Sequence, residues 1–203
     1  MATWCYGRMK PTRHKLSAVR VTHSDGSVVR VQLGRADGAR ACIASDWHLN
    51  PSRYGPAIAR QNVRLALDKL PGVAVELRKL NRHLEELVDA RYQGEWRLRR
   101  KPFVRVPYEE ALDCARVSIA IEGDQRTRVW VLEYGSNDAM PGTYRDLIPG
   151  HECVVVATLP TVWVAREQVS LPIRAEQVMV FRPRPRVQPG QFNMGRSRIH
   201  VHV

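Results

Sequence analysis

The sequence predicts an α+β protein: a mostly antiparallel sheet built from three hairpins, packed against a central two-helix hairpin, with an extended basic C-terminal tail. Three observations predict it. Alternating β-branched and polar residues recur in three paired segments, residues 56–92 carry apolar side chains at roughly helical spacing, and residues 182–203 begin by alternating proline with arginine. We expect residues 1–181 to form a single domain, because a chain of 203 residues can bury one substantial core.

The first predicted elements are a β-hairpin and a short strand. SAVRVTHSDGSVVRVQL (residues 17–33) alternates on both sides of Asp25-Gly26, a pair that favours the left-handed turn of a hairpin. The apolar run ACIA (residues 41–44) follows as a strand that we expect to end near Asp46.

Two helices are predicted to form the central hairpin. The first runs from Pro56 to Leu70, and the second from Val73 to about Tyr92. The second segment places four leucines on one helix face, where we interpret them as a core-facing stripe and keep a partner helix as the alternative. These leucines are Leu77, Leu80, Leu84 and Leu87.

Strands are predicted to dominate the rest of the chain. A short helix is expected over residues 107–115, followed by a second hairpin over residues 116–134. Residues 135–150 are rich in turn-forming residues and predict a long polar loop. A third hairpin over residues 151–166 and a last strand over residues 176–181 complete the predicted sheet.

The charge of the chain indicates a polyanionic partner. The 32 Lys and Arg residues outnumber the 20 Asp and Glu residues, which gives a net charge of +12 with neutral histidines. Such an excess favours nucleic acid or an acidic protein surface as the partner. No apolar run approaches the ~20 residues that cross a bilayer, and the N-terminus lacks the pattern of a secretion signal. We therefore expect no membrane contact, and a location in the cytoplasm or in a particle assembled there.

Neither the cysteines nor the glycines form a pattern that is typical of a cofactor site. The four cysteines lie far apart with no C-x-x-C spacing, which predicts reduced, buried thiols. The common phosphate-binding and hydrolase motifs are also missing from the sequence. We expect no cofactor and favour a non-enzyme over an enzyme.

Two basic clusters are the candidate binding residues. In RYQGEWRLRRKPFVR, arginines that can contact phosphates alternate with aromatic rings that can stack on unpaired bases. The second cluster lies in the proline-stiffened tail. The first cluster contains Arg91, Trp96, Arg97, Arg99, Arg100, Lys101 and Arg105. The second contains Arg182, Arg184, Arg186, Arg196 and Arg198.

The segment ASDWHLN resembles the opening motif of the calcineurin-like metallophosphoesterases, a strand followed by Asp-x-His. Later Gly-Asp, Gly-His-Glu and His-x-His sequences follow in the order of that family's motifs. The resemblance implies a two-metal site that activates water for attack at phosphorus. Its implied ligands are Asp46, His48, Asp124 and His202.

The interpretation that we favour for this segment is structural. The family's second-ion asparagine is missing from Gly-His-Glu, and Arg126 and Thr127 stand where the family has acidic or amide residues. In this interpretation Ser45 or Asp46 ends the strand, Pro51-Ser52 starts the following helix, and no metal is bound.

Three functions follow from these observations. The favoured one is a non-enzymatic, basic nucleic-acid-binding protein that makes largely sequence-independent phosphate contacts. The first alternative is a structural subunit of a large assembly such as a phage particle, in which arginine arms clasp neighbouring subunits of a homo-oligomer or larger assembly. The second alternative is a divergent metallophosphoesterase.

Overall fold

A computed structural model describes residues 4–6, 10–11, 17–23, 25–50, 60–92, 103–124, 126–164 and 168–183. These residues form fifteen strands, one α-helix and two 3-10 turns at residues 110–112 and 144–146. In chain order the elements are β1 (Trp4–Tyr6), β2 (Lys10–Pro11), β3 (Ser17–His23), β4 (Arg30–Leu33), β5 (Ala41–Asn50), β6 (Arg60–Ala66), α1 (Pro71–Tyr92), β7 (Phe103–Arg105), β8 (Tyr108–Glu109), β9 (Cys114–Ala120), β10 (Arg128–Leu132), β11 (Ala139–Gly142), β12 (Glu152–Thr158), β13 (Thr161–Val164), β14 (Gln168–Ser170) and β15 (Ile173–Phe181).

The strands form two sheets that share one hydrophobic core. The smaller sheet has the order β1-β3-β13-β14-β7, with β2 added to β3. The larger sheet contains the other nine strands and closes on itself, because β15 pairs with both β12 and β9. Val21 and Val169 of the smaller sheet are fully buried and belong to the same apolar cluster as the core of the larger one.

Five strands of the larger sheet close into a barrel. In chain order they are β5, β6, β9, β12 and β15, and around the barrel they follow the order first, second, third, fifth, fourth. Neighbouring strands are antiparallel except β9 and β15, which run parallel with Ser118 opposite Arg174. A small Greek-key barrel of five strands is the architecture of the OB-fold.

Strand β6 shows the alternation that builds the barrel wall. Its inward side chains are almost fully buried and its outward side chains are half-buried, the period of two that an extended strand imposes. The inward residues are Gln61, Val63 and Leu65, and the outward residues are Arg60, Asn62 and Arg64.

The helix predicted from Pro56 to Leu70 is wrong, because the described part of that segment begins with strand β6. Val63 and Leu65 are both 2% exposed and stand at alternate positions, which is a strand pattern that overrides the looser helical spacing. Residues 56–59 lie outside the described residues.

The second predicted helix is present as α1, but it packs on the barrel instead of on a second helix. Leu77, Leu80 and Leu84 are 1–3% exposed and join the barrel core. The Asn81 side chain fixes the helix against β8, since its Nδ2 donates to the Tyr108 carbonyl oxygen at 2.7 Å. Because α1 is the single α-helix of the described residues, the predicted two-helix hairpin, and with it the α+β class, is wrong.

The three predicted hairpins correspond to real strands whose pairing is mostly different. The turn at Gly26 (φ +82°) joins β3 to β4, but only Thr22 and Val28 bridge the two strands before they enter different sheets. Strands β9 and β10 both pair in parallel with β15 rather than with each other. Strands β12 and β13 belong to different sheets. Each of these strands pairs with a strand that is distant in sequence. Local alternation does not specify such a partner.

Smaller predicted elements also differ from the structure. Residues 107–115 contain β8 and a 3-10 turn instead of a helix, and the predicted loop 135–150 contains β11 and a second 3-10 turn capped by Thr143. Strand β5 continues through Asp46 to Asn50, with an irregularity after Ile43, so Asp46 does not end it.

The predicted C-terminal tail lies outside the described residues from residue 184 onward, and the division into domain and tail stays a prediction. Within the described part of the chain, α1 is too polar to count as a membrane-spanning helix.

Candidate nucleic-acid interface

The outer face of three adjacent barrel strands carries a row of polar side chains. On β6 and β9, Asn62 stands directly opposite Ser118, and on β15 Arg174 stands opposite Ser118 from the other side. The residues that alternate with them point into the core and are at most 2% exposed. These inward residues are Val63, Val117 and Ile173.

Four arginines share this outer face, which we call the arginine face. Arg64 of β6 stands opposite Arg116 of β9. Arg60 lies toward the other end of β6, and Arg174 of β15 stands opposite Ser118 of β9. The pKa of Arg174 is lowered, first by partial burial and then by the positive charge of Arg60. Like charges this close favour an anion between or above them.

A single carboxylate reaches two of these arginines. Glu109 of the edge strand β8 accepts from Arg64 Nε at 2.9 Å through Oε2, and from the Arg116 guanidinium through Oε1. All three side chains are at most 24% exposed, so solvent screens the contacts only in part. Among the described residues, no carboxylate lies within 4.0 Å of the Arg60 guanidinium, so Arg60 adds a positive charge without an ion pair to the face.

A cavity of about 90 Å³ opens on the arginine face. It lies where β6 and β9 meet the segment that joins β14 to β15, and both polar and apolar residues line it. The polar lining residues are Asn62, Arg116, Ser118 and Ser170. The apolar lining residues are Val106, Pro107, Leu171, Pro172 and Ile173.

The structure brings one residue of the first predicted cluster to this cavity. The backbone of Arg105 pairs in parallel with that of Ser170, one of the lining residues. Arg91 lies at the end of α1. The side chains of these two arginines, and the following residues of both clusters, lie outside what the structure describes: Trp96, Arg97, Arg99, Arg100, Lys101, Arg184, Arg186, Arg196 and Arg198.

Arg182 is the one predicted binding residue whose side chain is described, and it lies in an ion-pair network. Its Nη1 donates to Glu133 at 2.7 Å and its Nη2 donates to Asp146 at 2.8 Å. These contacts tie the end of β15 to β10 and to the 3-10 turn at residues 144–146. The pKa of Asp146 is lowered, chiefly because the Thr143 backbone N–H donates to it and further because Arg182 does.

The residues of the metal hypothesis are not gathered by the described part of the chain. No three His, Cys, Asp or Glu side chains that the structure describes are grouped so that they could hold an ion. Asp124 lies exposed in the turn after β9. Asp46 and His48 lie within β5 with undescribed side chains, and His202 falls beyond the described residues.

The cysteines with described side chains are free thiols, and two of them are buried. Cys153 is fully buried, which raises the pKa of its thiol to about 12, and Cys114 is 6% exposed. A thiol with so high a pKa is almost entirely protonated near neutral pH and is a poor nucleophile. Neither residue resembles a catalytic cysteine.

The arginine face was not among the sequence-based candidates, although a signal for it was present. In RQNVRLAL the polar residues alternate with apolar ones, so Arg60, Asn62 and Arg64 share a face if the segment is a strand. Because this segment was assigned to a helix, the shared face of its polar residues was not recognised. Its meeting with Arg116 and Arg174 depends on strand pairing, which the sequence does not reveal.

Comparisons with known proteins give fold-level similarity alone. No protein-family model and no curated protein matches the chain. Among solved structures, the chain is similar to gp2.5, a single-stranded DNA binding protein encoded by bacteriophage T7 (TM-score 0.45, 11% identity, 76% of this chain and 92% of that one). It is also similar to the single-stranded DNA-binding protein from bacteriophage Enc34 (TM-score 0.42, 12% identity, 93% and 95%). Similarity this low carries no information about function, which has to be argued from the residues of this chain.

Proposed function

We propose that the chain is a non-enzymatic protein that binds single-stranded nucleic acid across the arginine face. The observation that carries the proposal is the convergence of four arginines from β6, β9 and β15, with one carboxylate, Glu109, in contact with two of them. Guanidinium groups donate in pairs to phosphate oxygens, so a row of them follows a sugar-phosphate backbone.

The position of the face within the barrel supports the same conclusion. OB-fold barrels bind oligonucleotides chiefly on their second and third strands, and here those strands are β6 and β9. The strands that carry the arginines are thus the same strands that bind oligonucleotides in other OB-fold barrels. The polar row beside the arginines gives bases hydrogen-bonding partners as well.

The sequence-predicted cluster extends the proposed surface. The backbone of Arg105, at the end of this cluster, pairs with that of Ser170 beside the cavity. Arg97, Arg99 and Arg100 would add phosphate contacts there, and Trp96 would stack on an unpaired base. No observation on the described residues favours the assembly subunit or the metallophosphoesterase.

Salt-dependent binding tests the proposal. Fluorescence anisotropy with a labelled thymidine oligonucleotide of about 20 nucleotides measures the affinity of the wild type and of the double variant Arg60→Ala, Arg174→Ala. Loss of two phosphate contacts should make the slope of log K against log salt shallower by about 1.4, since each contact contributes about 0.7.

A matched control removes the same charge elsewhere. Arg35 and Lys79 are exposed and pair with local carboxylates, so Arg35→Ala, Lys79→Ala lowers the net charge equally away from the arginine face. The control should keep the wild-type slope. Equal effects of both double variants, or no binding by the wild type at low salt, would refute the proposal.

A further inference from the structure

The cavity on the arginine face is lined in part by polar side chains that make no hydrogen bonds to other described residues. The Asn62 amide and the Ser118 and Ser170 hydroxyls line it, and within the described residues none of these three groups has a hydrogen-bonding partner. Ser118 is only 8% exposed. Polar groups that line a cavity without protein partners are free to bond a ligand that supplies donors and acceptors.

The walls of the cavity favour a ring over a phosphate. Val106 and Pro172 are partly exposed and give the cavity apolar surface, and the buried Leu171 and Ile173 lie behind it. Phosphate oxygens would lose hydration against such a surface without gaining donors from it. Among the lining residues with described side chains, Arg116 is the one cation, and it is paired with Glu109.

The size and donor set of the cavity fit one nucleobase. A water needs on the order of 10–15 Å³ of such space, so about 90 Å³ accommodates a group the size of several waters, as a pyrimidine ring is. The Asn62 amide donates and accepts, and the two hydroxyls do the same. This combination matches the mixed donor and acceptor edge of a pyrimidine.

We infer that this cavity binds a single unstacked pyrimidine base of the bound strand. The base edge bonds to Asn62, Ser118 and Ser170 while the ring lies against Val106 and Pro172, and neighbouring phosphates contact the arginines. This inference rests on the proposed function and adds to it a base preference that phosphate contacts alone do not give.

The test compares oligonucleotides of equal length and charge. The full chain is titrated at one salt concentration with thymidine, cytidine, adenosine and abasic oligonucleotides. The wild type should bind the pyrimidine strands on the order of tenfold more tightly than the abasic strand, the equivalent of one or two net hydrogen bonds. The double variant Asn62→Ala, Ser118→Ala should lose that difference and keep the wild-type salt slope.

Two further variants separate failure of the base pocket from failure of the proposed function. Gln32→Ala removes an amide on β4, away from the cavity, and should keep the pyrimidine preference. Arg60→Ala should weaken binding to all four strands equally. Equal affinity of the wild type for pyrimidine and abasic strands, or tighter binding of the adenosine strand, would overturn the pocket and leave the proposed function intact. Absence of binding to every strand would overturn both.

Discussion

Glu109 holds Arg64 and Arg116 in the free protein, so we predict that removing its charge strengthens nucleic-acid binding. Glu109→Gln keeps the size of the side chain but no longer neutralises the two guanidinium groups that it contacts. Both arginines stand on the arginine face at opposed positions of β6 and β9. A phosphate of the bound strand can then take the place of the carboxylate without competing with it.

The expected size of the effect follows from counterion release. Two additional phosphate contacts steepen the slope of log K against log salt by up to about 1.4 for a single strand. Between 50 mM and 200 mM salt, the variant's affinity advantage over the wild type should therefore shrink on the order of sevenfold. The same substitution leaves two like charges opposite each other and should lower the free energy of unfolding by about 1–3 kcal/mol.

The assay is a salt titration of oligonucleotide affinity by fluorescence anisotropy, with thermal unfolding measured alongside. Glu86→Gln is the matched control, because it removes one exposed carboxylate from α1 and changes the net charge equally. We expect the control to keep the wild-type slope. A folded Glu109→Gln protein whose slope and affinity equal those of the control would refute the role given to Glu109.

Three further predictions concern stability and reactivity. Thr127 Oγ1 accepts from the Ala120 N–H at 3.0 Å and donates to the Ala175 carbonyl at 2.8 Å, closing β9 onto β15; Thr127→Val should cost about 1–3 kcal/mol in denaturant unfolding, and Thr127→Ser much less. Cys153 should resist alkylation at pH 8 in the native protein, where about one thiol in ten thousand is ionised, and react once the chain is unfolded. Asp146 has a lowered pKa when folded, so its contribution to stability is present above its ordinary value of 3.8 and is lost as the pH falls through the folded value. The melting temperature of Asp146→Asn should therefore fall less steeply with decreasing pH in the acid range than that of the wild type.

Each of these predictions has a clear contrary outcome. Equal stability of Thr127→Val and the wild type would mean that the hydroxyl does not close the barrel. Native alkylation of Cys153 at the unfolded rate would contradict its burial. An unchanged acid limb in Asp146→Asn would show that other carboxylates determine the acid sensitivity.

Local pattern predicted several of the strands and one helix, because both depend on nearby residues. The leucine spacing identified α1, and alternation identified β9, β12 and β15. The segment that became β6 was misassigned, since its apolar residues fit both a helix and a strand in part. The alternation of Val63 and Leu65 with Asn62 and Arg64 indicates the strand that the structure contains.

Strand pairing could not be predicted, and the candidate site depends on it. Alternation says which face of a strand is buried but not which distant strand lies beside it. Arg60, Arg116 and Arg174 come from three separate segments, and only the barrel order places them on one surface. The net charge indicated a polyanionic partner, yet it could not say which arginines would meet.

Chemical-shift mapping of the binding surface tests the central claim most directly. Backbone amide spectra of the labelled chain are recorded during titration with a thymidine oligonucleotide. If the arginine face binds the strand, the largest shifts fall in residues 60–66, 114–118 and 170–174. Saturable binding that leaves those amides in place, with shifts confined to other elements such as α1 or β11, would contradict the account.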